Sequence, residues 1–230
     1  MDKWQTIWSK KELASNSTQS LNDLIVANGF DTGVGNYDED KWREMVLDFL
    51  KRTNFTEKAS ILELGCGSGA FLFLLNQFVK ANYFGLDYSQ SLINIAKSAL
   101  PKAHLVETEA ISSVFEDVYF DVIFSHSVFQ YFPSMAYAED VIINWCKKIK
   151  QGGKLVLLDI NDKEKEEDYH NERMLAYRNP SEYYETYEGL NHLFFDKANL
   201  IHILKNCGMN EIEIFPHAVA DYGNSKFRFN

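Results

Sequence analysis

Glu63-Leu64-Gly65-Cys66-Gly67-Ser68-Gly69 follows the short apolar run Ala59-Ser60-Ile61-Leu62 and precedes Ala70-Phe71-Leu72-Phe73-Leu74-Leu75, which reads as the start of a helix. Glycines at alternate positions between a strand and a helix mark backbone that something approaches closely, because a Cβ would block the approach. The helix beginning just beyond offers unpaired N–H groups, so a nucleotide-like guest is expected. The spacing narrows the guest. A dinucleotide loop reads G-x-G-x-x-G, whereas this one reads G-x-G-x-G and carries an acid, Glu63, two places before the first glycine. The next strand-like run, Asn82-Tyr83-Phe84-Gly85-Leu86, ends on Asp87, twenty residues after Gly67, where a carboxylate can grip ribose hydroxyls.

Outward from this loop, strand and helix signals alternate. Strands are predicted at 59–64, 82–87, 103–107, 119–125 and 153–159, with helices at 70–80, 90–99 and 137–149 between them. The fourth and fifth strands, Tyr119 to Ser125 and Gly153 to Asp159, are almost continuously apolar, as strands covered on both faces are. A helix over 39–52 is predicted from Trp42, Met45, Val46, Phe49 and Leu50, which share one face, with Asp38 as its cap. Another helix near 197–207 runs from Asp196 to Gly208, and two last strands are predicted around 210–216 and 225–230. The expected fold is α/β: a doubly wound, mostly parallel seven-stranded sheet with helices on both faces. Residues 1–54 are read as an N-terminal helical lid and 55–230 as the core. The charge-dense and tyrosine-rich stretch 161–195 is an insertion before the last helix–strand pair, too long for an ordinary connection.

Bulk properties exclude several classes. The chain has 230 residues, enough for one α/β domain, and 46% of them are hydrophobic, enough for a core. A net charge of −10 opposes a nucleic-acid partner, which requires a basic surface. No apolar run reaches the length of a membrane helix, and Met1-Asp2-Lys3-Trp4-Gln5 does not lead into the apolar core of a signal peptide, so a cytoplasmic protein without a membrane partner is expected. Cys66, Cys146 and Cys207 are scattered without metal or disulfide spacing. A monomer or homodimer is expected.

Together, E-L-G-C-G-S-G at 63–69 and G-L-D at 85–87 resemble the first two motifs of the class I (Rossmann-like) S-adenosyl-L-methionine-dependent methyltransferases. The resemblance covers roughly 55–230. It extends to Glu107-Thr108-Glu109-Ala110-Ile111 after the third strand, to Phe120 through Phe132, and to Gly152-Gly153-Lys154-Leu155-Val156. It implies S-adenosyl-L-methionine as cofactor and methyl transfer as activity. By it, Gly65, Gly67 and Gly69, with Cys66 between them, pass under the cofactor. Glu63 holds the loop or reaches the cofactor's ammonium, Asp87 accepts from the ribose, and Tyr88 packs on the adenine. Glu109 accepts from the adenine amino group, with Ala110 and Ile111 beside it, and Ser125 and His126 stand close to the reactive methyl. Family members more often have Asp where Glu109 stands. In metal-dependent catechol methylation an Asp ends the fourth strand; Ser125-His126 stands there instead, so no metal is expected.

A general base is needed only if the acceptor is protonated at neutral pH. His126, Tyr131 and His192 are the candidates, with a cofactor-lining or structural imidazole the alternative for His126. Tyr37, Gln130, Tyr131, Arg173, Arg178 and Tyr183 are candidates for acceptor binding, the arginines because guanidinium groups fork onto phosphate or carboxylate. The expected acceptor is therefore a small polar metabolite, anionic where the arginines engage it, such as a sugar, a nucleotide-linked or a phosphate-bearing precursor, methylated on O or N. A non-catalytic cofactor-binding module and a protein or nucleic-acid methyltransferase are the other readings. The latter is weakened by Ser125-His126-Ser127-Val128, where amino-methylating DNA and RNA enzymes carry a D/N-P-P-Y/F turn. A dehydrogenase fails on glycine spacing.

Overall fold

The computed structural model describes residues 3–11, 20–30, 38–220 and 222–230. The chain runs α1 (Lys3–Trp8), α2 (Leu21–Ala27), α3 (Glu39–Thr53), β1 (Ser60–Leu64), α4 (Ala70–Phe78), β2 (Asn82–Asp87), α5 (Gln90–Ala99), β3 (His104–Glu107), β4 (Phe120–His126), α6 (Met135–Cys146), β5 (Ile149–Leu158) and β6 (Ile160–Asn161). It continues through α7 (Glu166–Met174), α8 (Pro180–Thr186), α9 (Lys197–Asn206) and β7 (Arg228–Phe229).

β1 to β5 form one parallel sheet in the order β3-β2-β1-β4-β5. The order reverses between β1 and β4, and a ligand crevice is expected beyond the strand ends at such a switch point. Alternate side chains supply two cores. Ile61, Tyr83, Val122 and Phe124 pack with α2, α3, α4 and α5, whereas Leu62, Leu64, Phe84, Leu86 and Ile123 pack with α6 and α9. Phe120 breaks the alternation: it has the parity of Val122 yet shares a core with Ile123. The register of β4 on β5 shifts between Phe120 and Val122, which accounts for the slip.

The helix starts follow their caps. Ser20, Asp38, Ser89, Ser134, Asn179 and Asp196 each accept a backbone N–H of the first turn with a side-chain oxygen. At α4 the capping residue is Gly69 in the left-handed region, with no side-chain bond to offer, so the first N–H groups of α4 depend on other partners.

The main sheet has five strands, not seven. Asp159 adopts a left-handed φ of 61° directly after β5 and turns the chain out of the sheet. The following residues form β6, and the C-terminal β7 pairs antiparallel with β6, Asn161 opposite Arg228, as a separate two-stranded sheet. The stretch 210–216 forms no strand; it meets the chain end through the Phe215–Asn230 backbone bonds, a Pro216–Phe229 bridge and Asn230 Nδ2, which donates to the Pro216 carbonyl at 3.2 Å. Gly152-Gly153 do not open the fifth strand, which starts at Ile149; they lie in its irregular stretch, where a Cβ on Gly153 would stand 2.9 Å from the Asp121 carbonyl oxygen. Within 161–195 the chain is ordered as α7 and α8 joined by short turns.

Candidate active site

One cavity of about 740 Å³ collects most of the residues singled out from the sequence. Glu63, Gly65, Gly67, Asp87, Tyr88, Glu109 and Ala110 line it from the ends of β1, β2 and β3. His126, Ser127 and Tyr131 line it after β4, and Tyr169, Arg173, Tyr177, Tyr187 and His192 line it from the 161–195 segment.

The glycine loop is held by Asp87. One carboxylate oxygen accepts the Gly67 N–H at 2.9 Å and the other accepts the Ser89 N–H at 2.8 Å. Asp87 therefore fixes the loop across β1 and β2, which pair in register. Burial, with a lesser push from Glu109, raises its carboxyl to about 6 against the lowering by those two N–H groups. Glu63 is buried beside it, and burial and the Asp87 charge raise its carboxyl well above the usual range; its Oε2 has no partner among the described residues.

The glycines answer to the protein as well as to any ligand. Gly65 and Gly67 have positive φ, and a Cβ on them would stand 2.5 Å from Val128 Cγ2 and 2.4 Å from Asn28 Oδ1. Asn28 Oδ1 accepts the Ser68 N–H at 2.8 Å, and the Ser68 hydroxyl donates to the Leu24 carbonyl, so α2 is tied to the loop. Gly65→Ala should cost about 2 kcal/mol or more, because it adds left-handed strain to a clash with Val128, and urea unfolding measures it.

Several expected cofactor residues lie elsewhere. Gly69 faces Ala96 of α5 and Leu100 just beyond its end, and its missing Cβ serves helix packing. Cys66 is buried against Gly85. Ile111 is outside the cavity lining, its carbonyl accepting from Asn144, and Ser125 is wholly buried outside it. Glu109 lines the cavity, but its two oxygens already accept from Gln5 Nε2 at 2.8 Å and from the Tyr137 hydroxyl at 3.3 Å.

None of the three candidate bases has a proton affinity suited to neutral pH. Burial, against the pull of Asp159, lowers His126 to about 4. Its ring sits among Phe30, Trp42 and Phe71 at centroid distances of 5.5, 5.2 and 5.6 Å. His192 is lowered to about 3 by burial and by the Arg228 and Arg173 charges. Burial raises Tyr131 to about 12, so it stays a phenol.

Of the candidates for acceptor binding, Arg173 and Tyr131 reach the cavity. Gln130 is buried and donates to the Ser127 hydroxyl oxygen at 2.8 Å; Tyr183 is buried with its hydroxyl 2.7 Å from His170 Nδ1; Arg178 is exposed outside the lining. Tyr37 lies outside the described residues.

Two features had no local signal. α1 spans the cavity. Gln5 bonds Glu109 at one side, while Trp4 donates to the Asn191 carbonyl and stacks on His192 at 4.9 Å on the other. Beneath the cavity lies a buried charge group. Arg228 Nη1 donates to the Asp159 carbonyl at 3.0 Å and stands 3.4 Å from its Oδ2; His217 Nε2 stands 3.6 Å from its Oδ1. Burial raises the Asp159 carboxyl, but Arg228, His217, His126 and a Ser127 hydrogen bond outweigh it and hold it below its usual value. Ser127 and Asp159, which flank this group, both have positive φ at strand ends, where strain accompanies functional sites. Among the described residues no three His, Cys, Asp or Glu side chains gather as a metal site.

Residues 62–157 match the family model described as "Methyltransferase domain". The chain is similar to a trans-aconitate 2-methyltransferase of Variovorax paradoxus, 29% identical over 41% of this chain and 37% of that protein. It is also similar to a malonyl-[acyl-carrier protein] O-methyltransferase of Priestia megaterium, 26% identical over 59% of this chain and 51% of that one. The chain thus spans about half or less of these relatives. In fold it matches the structure of a Haloferax volcanii methyltransferase solved with the Trm112 methyltransferase activator, with a TM-score of 0.63 over 89% of this chain and 83% of that one at 20% identity.

Proposed function

We propose, from the match of residues 62–157 to the methyltransferase-domain model, that the chain is a class I S-adenosylmethionine-dependent methyltransferase that methylates O or N of a small, polar, anionic acceptor. S-adenosylmethionine is the cofactor. The carrying observation is that one cavity joins the glycine loop and Asp87 to Arg173, the tyrosines and His192 of 161–195, so donor and acceptor positions are continuous.

The residues present fit the cofactor. Glu63 offers a buried oxygen with no partner to a cationic or N–H group, and Asp87 stands at the end of β2 where a ribose is held. When bound, S-adenosylmethionine supplies an electrophilic methyl on a sulfonium, which the acceptor's lone pair takes as the carbon–sulfur bond breaks. The chain's contribution is placement and dryness: α1 and its tryptophans cover the cavity, and Tyr131 and His126 line it without a proton to gain or lose near neutral pH. Such a site suits an acceptor already deprotonated at neutral pH. Two similar proteins carry names of acidic compounds, trans-aconitate and malonyl-[acyl-carrier protein], which supports an acidic acceptor.

Cofactor affinity should depend on pH with a defined sign. Ribose binding uses the carboxylate form of Asp87, whose free-state value is about 6. The affinity is full above that value and falls as pH drops through it, by up to about tenfold per pH unit. Calorimetric titration of S-adenosylmethionine between pH 5 and 8 measures it (the range brackets about 6); a flat profile removes the ribose assignment.

A further inference from the structure

The hydrogen bonds of the 161–195 segment favour one tautomer of His192. Arg173 Nη1 donates to the Tyr169 hydroxyl oxygen at 2.7 Å, and Arg173 Nη2 donates to that of Tyr187. Arginine has donors only. Tyr169 therefore accepts from Arg173, and its own proton is free for the 3.0 Å contact with His192 Nδ1. His192 is neutral at ordinary pH, being lowered to about 3, so Nδ1 takes the acceptor role and the ring proton lies on Nε2. That Nε2 is buried and has no partner among the described residues.

Arg228 presents the same situation. Its Nη1 is engaged by Asp159, while its Nε–H is buried and without a partner. Both residues line the cavity. Arg173 adds a cation with no carboxylate against it among the described ion pairs, its guanidinium lying 5.0 and 4.8 Å from the Tyr169 and Tyr187 ring centroids. The Arg228 and Arg173 charges both act on His192, and all three residues line the one cavity; two buried N–H donors without acceptors, with a partly buried cation in the same lining, call for an acceptor group, and a negative one best.

We propose that His192 Nε2–H and Arg228 Nε–H, with the Arg173 charge behind them, form an oxyanion subsite that holds a carboxylate or phosphate of the methyl acceptor. This rests on the methyltransferase reading for the identity of the ligand, but not for the existence of the subsite. It gives His192 the role of a donor in place of the base expected from the sequence, and makes Tyr169 a positioning residue that acts through His192.

The test uses the full chain with benzoate, phenyl phosphate and neutral benzamide as probes, read by ¹⁵N NMR of the histidine side chains and by calorimetry. The expected result is a His192 resonance pattern with the proton on Nε2, shifted by benzoate or phenyl phosphate and not by benzamide; which anion shifts it identifies carboxylate or phosphate as the natural group. His192→Phe, which keeps a ring against Trp4, should weaken anion binding about tenfold or more. Tyr169→Phe should weaken it less and populate the other tautomer. A proton found on Nδ1, equal binding of benzamide, or unchanged anion affinity in His192→Phe would overturn the subsite. S-adenosylmethionine titrated into the same samples separates the two readings: its binding without anion binding removes the subsite, and anion binding without it removes the methyltransferase reading.

Discussion

Replacing Asp87 by Ala is expected to weaken S-adenosylmethionine binding by about a hundredfold or more. The side chain accepts the Gly67 and Ser89 N–H groups at 2.9 and 2.8 Å, so the substitution takes away the proposed ribose acceptor and the support of the glycine loop together. Hydrogen bonds to a charged group contribute about 1.5–3 kcal/mol each, and losing the ribose contact with part of the loop's order brings the total to about 3 kcal/mol, the stated hundredfold. Asp87→Asn keeps one oxygen acceptor, so it should fall between Ala and the parent chain. In the unliganded chain Asn relieves the desolvation that opposes the Asp87 carboxylate, but its NH2 faces one of the two N–H groups that the carboxylate accepts, so the variant should lose about 1 kcal/mol by urea unfolding. An affinity loss well beyond that would separate a binding role from a structural one. Unchanged affinity in Asp87→Ala would remove Asp87 from the site.

The second large effect is on stability. Arg228→Met should cost about 3–5 kcal/mol, because it leaves the wholly buried Asp159 carboxylate without its main counter-charge. Asp159→Asn in the same chain should restore much of the loss, since a buried ion pair replaced on both sides is often nearly neutral. Denaturant midpoints of the two single variants and the double variant measure this; additive losses would mean that the pair is not coupled. Because Arg228 lines the cavity and carries the proposed Nε–H donor, the rescued double variant should fold yet bind the anionic probe weakly.

What was legible in the sequence was local. The glycine loop, Asp87 and the Glu109-Ala110 step are short motifs fixed to strand ends, and the parallel sheet brings them to one edge without further information. The apolar faces of α3 and α6 were equally local, as Trp42, Met45, Val46, Phe49, Val141, Ile142 and Trp145 are all buried. The errors came from contacts distant in sequence. Residues 210–216 alternate like a strand but meet the chain end at Phe215 and Pro216 without extending the main sheet, since the left-handed turn at Asp159 sends the chain to β6 and the C-terminus follows it there. Arg178 and Arg173 look alike in sequence; only the packing of α7 against Tyr187 and His192 puts one in the cavity and the other in solvent. Six-residue α1 has no buried residue of its own, and its place over the site comes from contacts to Glu188 and Asn191, nearly the whole chain away.

In the proposed reaction one cavity brings a methyl donor to an anionic acceptor. The decisive experiment incubates the full chain with S-adenosylmethionine and an extract of cell metabolites and separates the products by mass. S-adenosylhomocysteine should form, matched by one acidic metabolite that gains a single methyl group, with both signals lost in Asp87→Ala. S-adenosylmethionine bound but never consumed, or a methyl gained only by neutral or cationic compounds, would contradict that reaction.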